Sequence, residues 1–91
     1  MRAIDLFCGC GGLSLGFQNA GIQIVRAYDN WDKAVNIYNA NFVNHKAELK
    51  NAYDITVDEL KAYNPDLIIG DHLAKIIHQQ GNKTKLKVEP I

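Results

Sequence analysis

Residues 5–17 read Asp5-Leu6-Phe7-Cys8-Gly9-Cys10-Gly11-Gly12-Leu13-Ser14-Leu15-Gly16-Phe17, and this segment is the strongest indication of the fold class. Residues 2–7 predict a short buried strand, and residues 13–19 predict a helix whose apolar contacts come from Leu13, Leu15 and Phe17. The glycines between them let the backbone turn sharply and approach a ligand without a Cβ in the way. Open α/β proteins bind ligands at such turns. The stretch therefore predicts an α/β fold with a binding site at the turn, with a tight turn that holds no ligand as the alternative.

A second strand and helix follow the turn. Residues 22–28 predict a strand that ends at Asp29, and residues 32–41 have the spacing of an amphipathic helix. The side chains predicted to face the sheet are Ala34, Val35, Ile37 and Tyr38. Because Asp29 lies about 20 residues after the turn, its carboxylate is placed to accept hydrogen bonds from the ribose of an adenosine-containing cofactor. A solvated acid at the start of a loop is the alternative. The crowded glycines disfavour NAD, because their order does not match the dinucleotide fingerprint.

Two further elements complete the pattern up to residue 70. Residues 43–51 are polar and predict a loop, and residues 53–55 predict a short strand. Thr56, with Glu59 three positions later, predicts a capped helix that ends near Asn64-Pro65. Residues 66–70 predict another buried strand. This order indicates about four mostly parallel strands that alternate with helices on both faces of the sheet.

Composition limits the classes of function. The chain has 91 residues, of which 47% are hydrophobic, and its net charge is zero. These values indicate a globular unit without the basic surface of a nucleic-acid-binding domain. The apolar runs are too short to cross a membrane and no secretory signal is present, so we expect a cytoplasmic protein. Cys8 and Cys10 have no second pair or nearby histidine, which argues against a metal site, and we expect no disulfide.

Residues 5–17 resemble the first motif of the DNA cytosine-5-methyltransferases. Residues 29–42 are similar to the second motif of this family, residues 53–56 to the third, and residues 65–70 to the strand that leads into the fourth. The resemblance covers residues 2–70. It implies an incomplete Rossmann-like fold of S-adenosylmethionine-dependent methyltransferases, with S-adenosyl-L-methionine as cofactor. It also implies DNA as the substrate of the full-length enzyme, within a restriction-modification system.

The resemblance implies individual cofactor contacts. Phe7 would pack against the adenine, and the backbone of the turn would hold the methionine part. Asp29 would take the ribose hydroxyls, with Asn30 beside the adenine. Asp54 would accept a hydrogen bond from the adenine amino group, with Ile55 as an amide donor or apolar wall. The predicted cofactor-binding set is Phe7, Cys8, Gly9, Cys10, Gly11, Gly12, Leu13, Asp29, Asn30, Asp54 and Ile55. Trp31 is either a cofactor contact or a rim aromatic, and the histidines match no motif and are predicted to be solvated.

The resemblance ends at Gly70. There the family continues G-P-P-C-Q, and this cysteine attacks carbon 6 of a flipped cytosine, which makes carbon 5 nucleophilic toward the methyl group. This chain reads Asp71-His72-Leu73-Ala74-Lys75 instead, and no cysteine follows Cys10. We therefore predict no catalytic residue and expect the chain alone to be inactive.

Residues 71–91 form a tail unlike the family. Residues 73–80 could form a short helix, and residues 81–87 are lysine-rich and predicted to be mobile. Without further strands, the strand at residues 66–70 would lie at an exposed edge. We expect marginal stability and weak or no cofactor binding for the isolated chain.

A shifted reading frame through the codons of the tail permits the missing motif. Each new codon takes the third base of one residue and the first two bases of the next. From Gly70 onward, this shifted frame permits G-P-P-C-Q-D-Y-S-S-A-G-K, which resembles the fourth motif and the loop after it. We therefore hypothesise that one base was lost within the glycine codons near residue 70 and that residues 71–91 are out-of-frame translation.

Three functions remain open from the sequence, and an NAD-binding module is a fourth that the glycine order disfavours. The first is a fragment of a restriction-modification cytosine-5-methyltransferase. The second is the cofactor-binding subunit of a split methyltransferase, which a complementing chain with the catalytic motif would complete. The third is a non-catalytic S-adenosylmethionine-binding module. None of these requires a membrane or a metal.

Overall fold

The structure, a computed structural model, describes residues 1–70, 73–80 and 83–90. The strands are β1 (Arg2–Asp5), β2 (Gln23–Asp29), β3 (Ala47–Leu49), β4 (Leu67–Gly70), β5 (Leu73–Gln80) and β6 (Lys83–Pro90). The helices are α1 (Gly12–Asn19), α2 (Asp32–Asn41) and α3 (Val57–Ala62), and a single 3₁₀ turn among the described residues spans Ala52–Asp54. Within the same ranges, no helix is long and apolar enough to span a bilayer.

The described strands form one sheet in the order β3-β2-β1-β4-β5-β6. Strand β1 pairs in parallel with β2 and β4, and β2 pairs in parallel with β3. The chain reverses direction after β4, so that β5 and β6 are antiparallel. The predicted α/β fold, with strands and helices alternating up to residue 70, is confirmed.

Helices cover both faces of the parallel part of the sheet. On one face, the Tyr38 hydroxyl of α2 donates to Ser14 Oγ of α1 across 3.0 Å, so these helices lie side by side. On the other face, the Tyr28 hydroxyl of β2 donates to the Glu59 carboxylate of α3 across 2.6 Å. Successive side chains of a strand point to opposite faces, and Ala27 accordingly packs under α2 while Tyr28 faces α3.

Two apolar clusters lie on the face of the sheet that α1 and α2 cover. The cluster under α2 consists of Cys8, Ala27, Val35, Tyr38, Phe42 and Ala47. The cluster under α1 consists of Ala3, Ile24, Leu67 and Ile69, against which Leu13, Phe17 and Ile22 pack. Two predicted core positions were wrong, because Leu15 and Ile37 are 51% and 46% exposed. Ser14, next to Leu15, is buried instead, and Tyr38, which was predicted to face the sheet, is buried and donates a hydrogen bond to Ser14.

Two short elements differ from the sequence prediction. The predicted loop contains β3, in which Ala47 pairs with Ala27 of β2. The predicted strand at residues 53–55 is instead a 3₁₀ turn, because the Asn51 side chain accepts a hydrogen bond from the Tyr53 amide across 3.0 Å and bends the backbone. The predicted cap of α3 is confirmed, since Thr56 Oγ1 accepts the Glu59 amide across 3.1 Å.

The tail continues the sheet. The predicted helix at residues 73–80 was wrong, because these residues form β5, which pairs with β4 from Leu67↔Ile76 to Gly70↔Leu73. Strand β4 is therefore paired on both sides, contrary to the exposed edge that we expected. Without β5, the backbone amides and carbonyls along one side of β4 would be unpaired. Pairing with these groups is the physical reason why residues 73–80 form a strand. Residues 83–87 of the segment predicted to be mobile lie in β6, whereas Gly81 and Asn82 lie outside the described residues.

Candidate functional site

The glycine-rich turn connects β1 to α1 in a conformation that needs glycine. Gly9 and Gly11 have φ angles of 52° and 100°, values that L side chains rarely adopt. A Cβ at Gly11 would lie 2.3 Å from Cε2 of Phe42, so the turn packs directly on the aromatic side chain that follows α2. The Cys8 amide donates to the Tyr28 carbonyl across 2.9 Å and ties the start of the turn to β2. The turn is therefore held in one shape by its neighbours.

A buried chain of hydrogen bonds supports the turn from below. The Ser14 hydroxyl donates to Asp5 Oδ2 across 2.6 Å, and the Tyr38 hydroxyl donates to Ser14 Oγ. His45 Nε2 contacts the same Tyr38 hydroxyl across 2.5 Å. The tautomer of His45 decides which group donates in this contact, and Nδ1 is buried without a hydrogen-bond partner among the described residues. The prediction that the histidines are solvated was wrong for His45, which is 9% exposed, while His72 lies outside the described residues.

Asp29 joins the turn to the start of α2. Its Oδ2 accepts the Gly9 amide and its Oδ1 accepts the Trp31 amide, each across 2.9 Å. Each carboxylate oxygen therefore already holds one backbone amide. This contact fixes the carboxyl end of β2 beside the turn.

A cavity of about 530 Å³ opens at the carboxyl ends of three neighbouring parallel strands. The described residues that line it come after the ends of these strands: Leu6 and Phe7 after β1, Asn30 after β2, and Lys50, Asn51, Ala52 and Tyr53 after β3. Ligands of open α/β sheets bind in this position. The described lining combines two aromatic rings, two side-chain amides and one ammonium group, which suits a flat, polar ligand.

The segment that follows β3 and lines the cavity is anchored to α3. The Glu59 carboxylate of α3 accepts from the Lys50 ammonium and from the Tyr28 hydroxyl, each across 2.6 Å. The pKa of Glu59 is lowered, first by the Lys50 hydrogen bond and then by that of Tyr28. These contacts hold the segment that lines the cavity at a fixed distance from β2.

Comparison with known proteins gives the family. Residues 1–71 match the C-5 cytosine-specific DNA methylases. The chain belongs to this family. The type II methyltransferase M.HgiDI of Herpetosiphon aurantiacus is 52% identical over 71 residues, and M.HindV of Haemophilus influenzae is 49% identical over 72 residues. The crystal structure of the S. pombe Dnmt2 methyltransferase superposes with a TM-score of 0.66 at 27% identity.

The chain spans less than a quarter of these cytosine-specific methylases. Each type II alignment covers 77% of the chain and 23% of the relative. The superposition on the S. pombe protein covers 75% of the chain and 22% of that protein. The shared part holds the turn and the cavity.

The predicted methylase site residues are distributed unequally around the cavity. Phe7 and Asn30 line it, whereas Gly12 and Leu13 line a separate pocket along α1, and Cys8 packs in the cluster under α2. Asp54 and Ile55 follow directly on Tyr53 at its edge, while Trp31 precedes α2 and is 57% exposed. Five further lining residues were not predicted as site residues: Leu6, Lys50, Asn51, Ala52 and Tyr53. Asn51, whose side chain accepts an amide two residues later, was the local signal for a turn there.

Neither cysteine of this methylase chain is in a disulfide, and Cys8 is buried. Burial, followed by the nearby carboxylates of Asp5 and Asp29, raises the pKa of the Cys8 thiol to about 12. The thiolate is the nucleophilic form of cysteine, so Cys8 stays an unreactive thiol at neutral pH. Its place in the apolar cluster under α2 agrees with a packing role.

Proposed function

We propose that residues 1–70 form the S-adenosyl-L-methionine site of a DNA cytosine-5-methyltransferase. The observation that carries the proposal is the cavity at the carboxyl ends of three parallel strands, beside a glycine-rich turn in a chain of this family. Phe7 and Asn30 would contact the adenosine, with Asp54 and Ile55 at the edge of the cavity. The backbone from Cys8 to Leu13 would hold the methionine part. When bound, the cofactor supplies an electrophilic methyl group.

The chain by itself is proposed to be an inactive fragment of a restriction-modification enzyme. The nucleophile that the family uses would follow Gly70, and the sequence holds no cysteine beyond Cys10. A cytosine-5 transfer needs a nucleophile at carbon 6 before the methyl group can move. The full-length enzyme would act on DNA, in the cytoplasm.

A frameshift near residue 70 explains why the resemblance stops there. The family match ends at residue 71, at the boundary that the hidden reading frame predicts. The shifted frame supplies the G-P-P-C-Q motif directly after the fourth strand. Residues 71–91 would then have no selected function, although β5 pairs with β4.

The test is to sequence the gene through codon 70 and to express two proteins, the 91-residue chain and the frame-restored chain. Transfer of a labelled methyl group from S-adenosylmethionine to DNA is measured for each. The frame-restored protein should methylate DNA, and the 91-residue chain should not. Replacement of the restored cysteine by alanine is the matched control and should abolish transfer.

Three results would contradict the proposal. If the shifted frame closes at once, the tail is genuine, and the fragment interpretation fails. If methylation instead requires a second, co-expressed chain that carries the catalytic motif, the protein is a subunit of a split methyltransferase. If the chain binds the cofactor, but methylation occurs neither with the frame-restored protein nor with a second chain, the protein is a non-catalytic binding module.

A further inference from the structure

Lys50 is the one charged side chain among the described residues that line the cavity at the strand ends. An ammonium group binds phosphate as a point charge. A cavity for an adenosine-containing ligand that offered a free ammonium would therefore also attract the phosphate groups of adenine nucleotides. The partner of the Lys50 ammonium thus decides which class of adenosine ligand the cavity favours.

The Glu59 carboxylate of α3 compensates this ammonium. Lys50 Nζ donates to Glu59 Oε1 across 2.6 Å, and the two side chains are 27% and 25% exposed. This hydrogen bond raises the pKa of Lys50, and the nearby carboxylates of Glu48 and Asp54 act in the same direction. Glu48 is itself paired with Arg26 across 2.6 Å, so Glu59 is the direct partner of Lys50. The charge that lines the cavity is therefore balanced before a ligand enters.

Glu59 is held in place by contacts of its own. Its Oε2 accepts the hydroxyl of the buried Tyr28 across 2.6 Å, and its amide donates to Thr56 Oγ1 across 3.1 Å at the start of α3. An ion pair between two free surface side chains is weak, because holding both in one geometry costs side-chain entropy. Here the Tyr28 hydrogen bond already holds the carboxylate, so only the Lys50 side chain has to be ordered. The pair is therefore a fixed feature of the cavity wall.

We propose that Glu59 is a specificity-determining residue, which compensates the Lys50 ammonium and so makes the cavity favour adenosine ligands without phosphate groups. This inference rests on the proposed function. S-adenosyl-L-methionine carries a sulfonium cation and no phosphate, whereas ADP and ATP carry several negative charges. A compensated wall removes the attraction that would draw these nucleotides into the cavity.

The electrostatic potential of the cavity can be measured without a ligand. A cationic and an anionic nitroxide are added in turn to the isotope-labelled chain, and the NMR relaxation that each causes is compared at the Asn30 and Tyr53 amides. Glu59→Gln should raise the ratio of anionic to cationic enhancement, because the Lys50 charge is no longer compensated. Asp58→Asn is the matched control, since it removes the same charge from an exposed neighbour on α3 that is not among the described lining residues. It should change the ratio much less.

A second pair of variants decides the question if Glu59→Gln does not fold. Lys50→Met leaves the Glu59 carboxylate without its cation and should lower the same ratio. Adding Glu59→Gln to Lys50→Met removes both charges and should return the ratio to that of the unmodified chain. A ratio that does not return would overturn the compensation of Lys50 by Glu59.

Ligand binding tests the consequence for specificity. Each chain is titrated by NMR with S-adenosylhomocysteine and with ADP at low salt. Glu59→Gln should strengthen binding of ADP relative to S-adenosylhomocysteine by about three- to tenfold, because the phosphates then meet an uncompensated ammonium. The ratio of the two affinities is compared, since a loosened wall would weaken both compounds together. The gain should shrink in about 1 M salt, where the Debye length falls to about 3 Å, and should be absent when Lys50→Met is added.

The outcomes separate this inference from the proposed function. If Glu59→Gln leaves the affinity ratio unchanged, or if Asp58→Asn raises it as much, the inference is overturned. An unmodified chain that binds ADP more tightly than S-adenosylhomocysteine would also overturn it. If the unmodified chain binds neither compound, the proposed cofactor site fails in this chain, while the nitroxide experiment still decides whether Glu59 compensates Lys50.

Discussion

At the scale of the residue, Gly11 is the position in the turn that tolerates a side chain least. Its φ of 100° and the 2.3 Å from a Cβ to the Phe42 ring both oppose any other residue. Gly11→Ala should lower the free energy of unfolding by about 2 kcal/mol or more, measured by urea denaturation. Gly16→Ala is the matched control, because Gly16 lies within α1 with nothing within 4 Å of its Cβ position. It should raise stability by about 0.5–1 kcal/mol. Equal effects of the two substitutions would contradict the packing of the turn on Phe42.

His45 makes stability depend on pH. Burial lowers its pKa, and the nearby Lys46 ammonium adds to this effect. A histidine whose folded pKa is depressed stabilises the fold above its unfolded pKa, about 6.5, and this stability is lost as the pH falls below that value. The unmodified chain should therefore lose stability as the pH falls below about 6.5, at no more than ~1.4 kcal/mol per pH unit from this residue. His45→Gln, compared by thermal unfolding over the same range, should show a shallower loss. Parallel pH profiles would refute the role of His45.

At the scale of the element, a buried tyrosine holds α3 against β2. Tyr28 is fully buried and donates to the Glu59 carboxylate across 2.6 Å. Tyr28→Phe removes that donor and should lower the free energy of unfolding by about 1.5–3 kcal/mol, the range for hydrogen bonds to charged groups. Tyr53→Phe is the control, since Tyr53 is 97% exposed and should change stability by less than about 0.5 kcal/mol. Comparable losses in both variants, measured by urea denaturation, would contradict the anchoring role of Tyr28.

The same scale shows how far the sequence predicts this fold. The strand, turn and helix around Gly9 follow from local signals, and α2 was predicted with the bounds that the structure has. Strand β3 was missed because its three residues are paired through contacts with β2, distant in sequence. The burial of His45 was missed for the same reason, because it depends on the Tyr38 hydroxyl on a neighbouring element. The cavity itself needs three strand ends side by side, which no single segment encodes.

At the scale of the whole molecule, the tail determines whether β4 is an open edge. Strand β5 pairs with all of β4, and β6 pairs with β5 from Leu73↔Pro90 to Gln80↔Lys83. A chain that stops after Gly70 would expose the backbone of β4, whose four residues are buried here, and should self-associate through that edge. Sedimentation velocity should show a larger share of oligomers than in the full chain, and the unfolding midpoint should fall. A chain that stops after Gln80 keeps β5 and is the matched control. If the chain ending at Gly70 stays monomeric with an unchanged midpoint, pairing with the tail contributes nothing to the fold. That result would fit a tail without any structural role, and the stability of the molecule would then reside in residues 1–70 alone.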